Sequence, residues 1–462
     1  MKEMSTRLGK ERIGKLLLNL SVPATMGMVV NALYNLVDTI FVGRGVGAIA
    51  IGALTVSFPI QMIIMAFAIM IGMGSASAIS RSLGAGNVER ADNVTGNSFF
   101  SIVFFSSIIA FLGLTFTEPL LRLVGATDTI LPYAREYITI IFYGSVFRSF
   151  AMSTNNLIRA EGNAKVAMIS MIIGAGSNII LDPLFIFVFK LGVKGAALAT
   201  IIAQFFAFIY VIRYLYSGKS SLRVKIHHLK PRLDIIREII TVGMASFFRH
   251  IAGGVAGVII NSSLSLLGGD IALIVIGILQ RVTMFIFMPL FGVVQGMQPI
   301  VGFNFGAKKY ERVKETIKLA IMITTLMATI GWVIIELFPS FIFSIFTTER
   351  EIIEKGIPVI RIVISMIPLI GIQVVGAALF QSLGKAFPSL VLSLLRQVLI
   401  FTPLVIILPR IFGLGIMGIW LAYPIADVLA VILTIIYLRS ELRKIDLWFN
   451  DGRISDGLAD SI

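Results

Sequence analysis

Two aspartates stand inside apolar runs, where a charge is expensive. Asp38 follows Asn31 and Asn35 at i, i+4 and i+7, spacings that place amides and a carboxylate on one helical face. Asp182 follows Asn178 by one turn, and Pro183 comes next, lacking an N–H and crowding the carbonyl of Ile179. Carboxylates, an amide and a freed carbonyl are hard oxygen donors, suited to a hard cation such as Na⁺, and a proton would neutralise the same pair. Thr200 and Gln204 lie at i, i+4 on a face thinned by Ala196, Ala203 and Ala207, which equally suits close helix packing. An ionisable side chain at mid-bilayer costs at least about 2.5–3.5 kcal/mol, so each is a functional candidate by default. Only Arg148 lies near mid-span in this half, so one of the two carboxylates is expected to lack a cationic partner.

These residues need apolar helices to carry them. Of 462 residues, 57% are apolar and 14% charged, with mean hydropathy +0.94 in the composition as a whole. Soluble chains carry nearer a quarter charged residues, so the chain belongs in a bilayer. Without cysteine it has no disulfide, thiolate metal site or cysteine nucleophile, and three histidines leave little for a metal cluster. Long apolar runs give twelve expected helical spans: 14–43, 48–79, 94–117, 130–158, 165–190, 194–217, 235–267, 271–303, 313–338, 352–383, 386–410 and 414–438. Alternating strands of about ten residues are missing, which argues against a β-barrel. With the N-terminus inside, 26 of the 39 Lys and Arg fall on the cytoplasmic side, nine outside and four within spans (Arg148, Arg249, Arg281, Arg396). Both termini are therefore expected in the cytoplasm, and the net charge of +14 is a topology signal rather than a sign of nucleic acid. No signal peptide is evident.

The halves repeat. Gly84-Ala85 with Glu89-Arg90 matches Gly306-Ala307 with Glu311-Arg312 at an offset of 222, and Gly162-x-Ala164 matches Gly384-x-Ala386 at the same offset. Leu191-Gly192-x-x-Gly195-x-x-Leu198-Ala199 matches Leu414-Gly415-x-x-Gly418-x-x-Leu421-Ala422 at 223. Six spans per copy is an even number, so the copies are related by a two-fold axis along the membrane normal, with binding sites near their interface. The expected organisation is an N-lobe at 1–217, a basic cytoplasmic linker at 218–234, a C-lobe at 235–440 and a cytoplasmic tail at 441–462. The second copy has Thr402 where the first has Asp182, and its spans 7 and 10 carry no central acid, so cation chemistry is expected in the first lobe. Arg249, Arg281 and Arg396 read first as helix-packing groups that pair with Asp427 or carbonyls, with substrate contact as the alternative, and His250 as structural ahead of a proton relay. Pro23 kinks span 1, statically or as a hinge.

The chain resembles the MATE (multidrug and toxic compound extrusion) transporters, from Pro23 to Asp427. The resemblance rests on Ser21-x-Pro23, Leu33-Tyr34-Asn35-Leu36-x-Asp38, Arg159-x-Glu161-Gly162, Asn178-x-x-x-Asp182-Pro183 and Gly192-x-x-Gly195-Ala196-Ala197. The run Gln298-Pro299-Ile300-Val301-Gly302-Phe303-Asn304-Phe305-Gly306-Ala307 is similar to the prokaryotic MepA/DinF-like branch. The resemblance implies an all-α polytopic membrane protein with twelve transmembrane helices in two six-helix lobes. It implies a first-lobe cation site at Asp38, Asn178, Asp182 and Thr200, able to take Na⁺, with Asn35, Asn155 and Gln204 as supporting polar groups and Pro23 as a hinge. The family's second-lobe acids are not matched, so a second cation site is not implied.

The expected activity is secondary active efflux of amphipathic, often cationic, compounds in exchange for Na⁺ or H⁺, by a monomer in the plasma membrane among its lipids. The rival is a flippase of lipid-linked sugars from the same superfamily, whose basic cavity the few intramembrane arginines do not suggest. No enzyme constellation, cofactor motif, G-x-x-x-x-G-K-[ST] loop for ATP or major-facilitator signature appears.

Overall fold

In lipid every backbone polar group must find its partner within the chain, which leaves helices as the spanning element here. The computed structural model describes residues 3–411 and 413–459, with the side chains at 3–6, 48 and 448–459 outside the description. In order come α1 (Glu3–Lys10), α2 (Ile13–Gly45), α3 (Ala48–Gly84), α4 (Val88–Thr115), α5 (Thr117–Leu123), α6 (Leu131–Ala160), α7 (Ala164–Pro183) and α8 (Gly192–Tyr216). A linker with one 3₁₀ turn, Ile226–Leu229, leads to α9 (Leu233–Gly306), α10 (Tyr310–Leu337), α11 (Pro339–Phe346), α12 (Arg350–Ile364), α13 (Ile370–Ser382), α14 (Ala386–Leu394), α15 (Thr402–Ile407) and α16 (Ile416–Ala459). No strand occurs among the described residues.

Among the described residues, ten helical stretches are long and apolar enough to cross a membrane. One of them, α9, is two helices meeting at Gly269, whose φ of 60° turns the chain. α6, which carries Arg135, Glu136 and Arg148, stands outside that count. Ten, plus one for the divided α9, plus one for α6, gives the twelve crossings expected. The ends differ in places: α3 runs to Gly84 rather than 79, and α16 continues through the segment read as a tail. Two crossings widen locally into π turns, Leu184–Val188 after Pro183 and Leu395–Phe401 before Pro403.

The repeat is visible in the backbone. Positive φ recurs at Gly86 and Lys308, Gly162 and Gly384, Lys190 and Gly413, and Gly192 and Gly415, pairs separated by 222 or 223 residues. The lobes also meet symmetrically. A side chain on Gly84 would strike the backbone of Phe303, and one on Gly306 would strike that of Arg81. Because 84 + 222 is 306 and 81 + 222 is 303, the two contacts are images of each other, and only glycine allows this approach.

A core of buried residues from both lobes, including Leu8, Ile71, Ile79, Ile239, Met297 and Ile300, gathers at the end of the molecule that holds the linker. There Glu238 binds Arg81 at 2.8 Å and Arg90 at 2.7 Å, and Arg312 donates to the Glu11 carbonyl at 2.6 Å. Separate cores fill each lobe at other levels, one around Ile138 and Ala197, the other around Ile278 and Phe343. The linker is pinned by buried side chains of the first lobe. Asp92 accepts from the Arg223 N–H at 2.7 Å, and Asn97 accepts from the Arg232 N–H at 2.7 Å.

Candidate ion site and central cavity

α2, α7 and α8 bring the four expected residues together. Their side chains are almost wholly buried: Asp38 is 7% exposed, Asn178 1%, Asp182 0% and Thr200 4%. Asn178 links α7 to α8, donating from Nδ2 to Asp182 Oδ1 on its own helix and to Thr200 Oγ1, each at 3.3 Å. With its amide turned over it still bridges them, reaching Asp182 Oδ2 at 2.9 Å and accepting from the Thr200 N–H at 3.3 Å. The Asp38 and Asp182 carboxyls lie within side-chain hydrogen-bonding reach of each other.

Among the described residues neither aspartate makes an ion pair, and Asp38 Oδ1 has no hydrogen-bond donor. Arg148, the cation available by sequence, donates instead to Gln61 Oε1 at 2.7 Å. Two carboxyls in contact without a counter-charge cannot both remain ionised cheaply, and a proton or a small cation would neutralise the pair. The donor set is all oxygen apart from the amide nitrogen, which fits a hard cation.

The supporting residues separate. Asn155 is buried with Oδ1 unpartnered and lines a large central cavity, and Gln204 lines it too. Asn35 turns back on its own helix, donating to the Asn31 carbonyl at 2.7 Å, and its side chain is exposed. The residues that share the Asp38 face are Asn31, in the cavity wall, and Tyr34, buried in the field of both aspartates. Tyr137 is also buried beside Asp38. The i, i+3, i+7 spacing of Asn31, Tyr34 and Asp38 was as available as i, i+4, i+7, and only packing decides between them. Pro23 lies in α2 on a surface groove beside Leu20 and Lys165. Two residues on either side of it, Ser21 and Thr25 press against Gly296 and Gly292 of α9.

The central cavity measures about 380 Å³ and takes its wall from both lobes. Met28, Met65, Met73, Met152 and Met171 supply soft, adaptable apolar surface. Its ionisable members are Arg148, Arg159, Arg249 and His250, with the phenol of Tyr34, and among the described residues no carboxylate lines it. The wall as described holds no carboxylate that would attract the cationic compounds expected among the cargo. His250 and Arg249, read as packing groups, face this space. Of the three arginines read as packing groups, Arg396 is the one that takes Asp427, beside a separate cavity within the second lobe. The histidine reading needs one amendment: Glu89, His227 and His228 bring their ligand atoms within 4.8 Å of one another in the linker region. His228 Nδ1 already accepts from the Lys225 N–H, and its Nε2 faces Glu89 Oε1, each at 3.1 Å.

This arrangement, two six-helix lobes with a carboxylate pair in one of them, defines a membrane carrier of MATE architecture. The MatE family model matches the chain twice, over residues 23–184 and 246–407, and the chain belongs to the MATE family. The matches begin and end 223 residues apart, in step with the internal repeat. The chain is 27% identical to the multidrug export protein MepA of Staphylococcus aureus (strain MSSA476), covering 94% of this chain and 96% of that one. A solved MATE structure in the bent conformation superposes with a TM-score of 0.91 at 27% identity, covering 96% of this chain and 98% of that one. An outward-facing multidrug resistance MATE transporter of the MOP superfamily superposes with a TM-score of 0.89 at 28% identity, over 95% and 98% of the two chains.

Proposed function

We propose that the chain is a secondary active multidrug exporter that expels amphipathic small molecules in exchange for Na⁺ or H⁺. The observation that carries this reading is the buried contact of Asp38 with Asp182, bridged to Thr200 through Asn178 and lacking any ion-pair partner among the described residues. The similarity to multidrug export proteins supports the direction and the cargo class. In the proposed cycle the ion enters the pair from outside, where entry is downhill, and neutralises it. The loaded state favours an inward-open arrangement, and release of the ion to the cytoplasm with capture of cargo reverses it. Coupling passes through α2, which carries Asp38 in the ion site and Met28, Asn31 and Tyr34 in the cavity wall. A shift of this helix on ion loading changes the wall that cargo touches.

On this reading the linker end faces the cytoplasm with both termini, and the protein works as a monomer in the plasma membrane. The flippase reading gains from one finding: Arg148, Arg159 and Arg249 converge on the central cavity, although Arg281 lies outside it and Arg396 pairs with Asp427. The family match and the similarity to exporters favour efflux.

The test is efflux of a dansyl-labelled amphiphile from proteoliposomes under separately imposed Na⁺ and pH gradients. One gradient is expected to drive transport, and D38N and D182N are each expected to abolish the driven component. Gradient-driven efflux at the normal rate in both variants refutes the reading.

A further inference from the structure

We infer that the central cavity receives the anionic headgroup of an amphiphile, a carboxylate, sulfonate or phosphate on an apolar body. This deepens the proposed export function by naming the charge of its cargo. Three arginines from different parts of the fold point into one space: Arg148 and Arg159 from α6, and Arg249 from α9, with His250 beside it. A fixed positive charge in a membrane interior ordinarily pairs with an ionisable group of opposite sign or with backbone carbonyls. Arg396 shows that the same chain does this when a cation is structural, since it binds Asp427.

The cavity arginines are handled differently. Arg148 donates to the neutral amide of Gln61 at 2.7 Å, and Arg159 to that of Asn156 at 2.7 Å. Arg249 reaches Ser246 Oγ at 3.5 Å, a marginal contact. None of the three makes an ion pair among the described residues. Neutral partners orient the guanidinium groups without cancelling their charge, leaving donors in a fixed planar fork suited to an oxyanion.

The remainder of the wall suits the other half of such a molecule. The five methionines, Ile69, Phe291 and Val294 offer apolar surface, and about 380 Å³ falls within the range of sites for drug-sized ligands. Asn155, with a buried unpartnered Oδ1, and Gln295 and Gln298 supply further polar contacts. A cationic amphiphile of equal size would meet three like charges and no carboxylate.

The test compares two probes with the same fluorophore and chain length, dansyl-6-aminohexanoate (anionic) and dansylcadaverine (cationic). Binding to the full chain in phosphatidylcholine nanodiscs is followed by dansyl fluorescence, corrected against empty discs. The anion is expected to bind at least about tenfold more tightly than the cation, and R159Q or R249Q to weaken the anion by about tenfold or more while sparing the cation. R249K keeps the charge and should recover part of the affinity. R281Q, outside the cavity, should bind as the unaltered protein does.

Equal binding of the two probes, preference for the cation, or R159Q and R249Q variants that elute as monodisperse protein yet bind the anion normally would overturn the inference. A further arm names the source of the headgroup. Displacement of the anionic probe by phosphatidylglycerol in the discs assigns it to lipid, and failure to displace assigns it to a free amphiphile. No ion gradient enters this measurement, so its failure leaves the antiport reading standing, and loss of the antiport reading leaves this result intact.

Discussion

The hydroxyl of Tyr214, near the end of α8, donates to Glu161 at 2.7 Å, and Glu161 has no exposed surface. The same carboxylate accepts from Ser220 Oγ at 2.9 Å and from the Ser221 N–H at 2.6 Å. One side chain at the end of α6 thus holds both α8 and the start of the linker. E161A would leave a phenol, a hydroxyl and a backbone N–H without an acceptor, at about 1–3 kcal/mol for each donor left buried. Thermal unfolding in detergent should show a Tm several degrees lower, and hydrogen exchange should quicken first at residues 217–222. An unchanged Tm would show that the anchor is redundant.

Burial pushes the Glu161 carboxyl above its ordinary range, and the bonds from Tyr214, Ser220 and Ser221 only partly pull it back. The folded protein therefore holds this proton more tightly than the unfolded chain does. Stability from this group is greatest below the unfolded value of 4.5 and falls as pH rises through the higher folded value. E161Q has no such proton, so the Tm of the unaltered protein relative to E161Q should decline with rising pH across that window. A difference that grows with pH would contradict the assignment.

Within the ion site, Asn178 is the bridge between helices, so N178A and T200A should weaken ion binding by different routes. N178A removes contacts to two partners and should raise the ion concentration for half-maximal efflux by about tenfold or more, whereas T200A removes one oxygen and should cost less. Ion titration of efflux in proteoliposomes measures both. A larger effect for T200A than for N178A would reverse the roles.

Leucine at Gly84 or Gly306 would drive a side chain into the backbone of the facing helix, so neither variant should close the linker end. The chain contains no cysteine, which permits a clean reporter: S80C, at a position 1% exposed on the seam where Gly302 meets Ser80. Maleimide labelling of S80C should rise several-fold when G84L or G306L is added, and the two should act alike because their contacts are symmetric. Slow labelling in both double variants would rule out a seam that depends on glycine.

In the second lobe, D427N would strand Arg396 in a mostly apolar setting at a cost of about 3 kcal/mol, while R396M/D427L should recover most of it. Chemical or thermal unfolding of the three proteins compares them. If the double variant is as unstable as D427N, the pair does more than hold the helices.

The twelve crossings and the duplication were legible because hydrophobic runs and repeated glycine motifs are local properties of the chain. Asp38, Asn178 and Asp182 were legible because acids and amides in apolar runs are costly enough to draw notice; Thr200 needed the family resemblance to rise above a packing role. Asn35 was misplaced because a turn of 3.6 residues leaves i+3 and i+4 equally eligible, and packing selected Tyr34. The positive wall was not legible. Arg148, Arg159 and Arg249 span a hundred positions and two lobes, and their meeting depends on how the lobes dock rather than on any local pattern. The same distance conceals the match of Gly84 with Phe303.

Because Arg148 and Arg159 sit on one bundle and Arg249 and His250 on the other, the pocket exists only while the bundles stand together. On the proposed export cycle, parting them would take that surface apart and release cargo without any dedicated gate. Grip and posture would then be a single variable, so that whatever shifts the stance of the two halves would also set how tightly the load is carried.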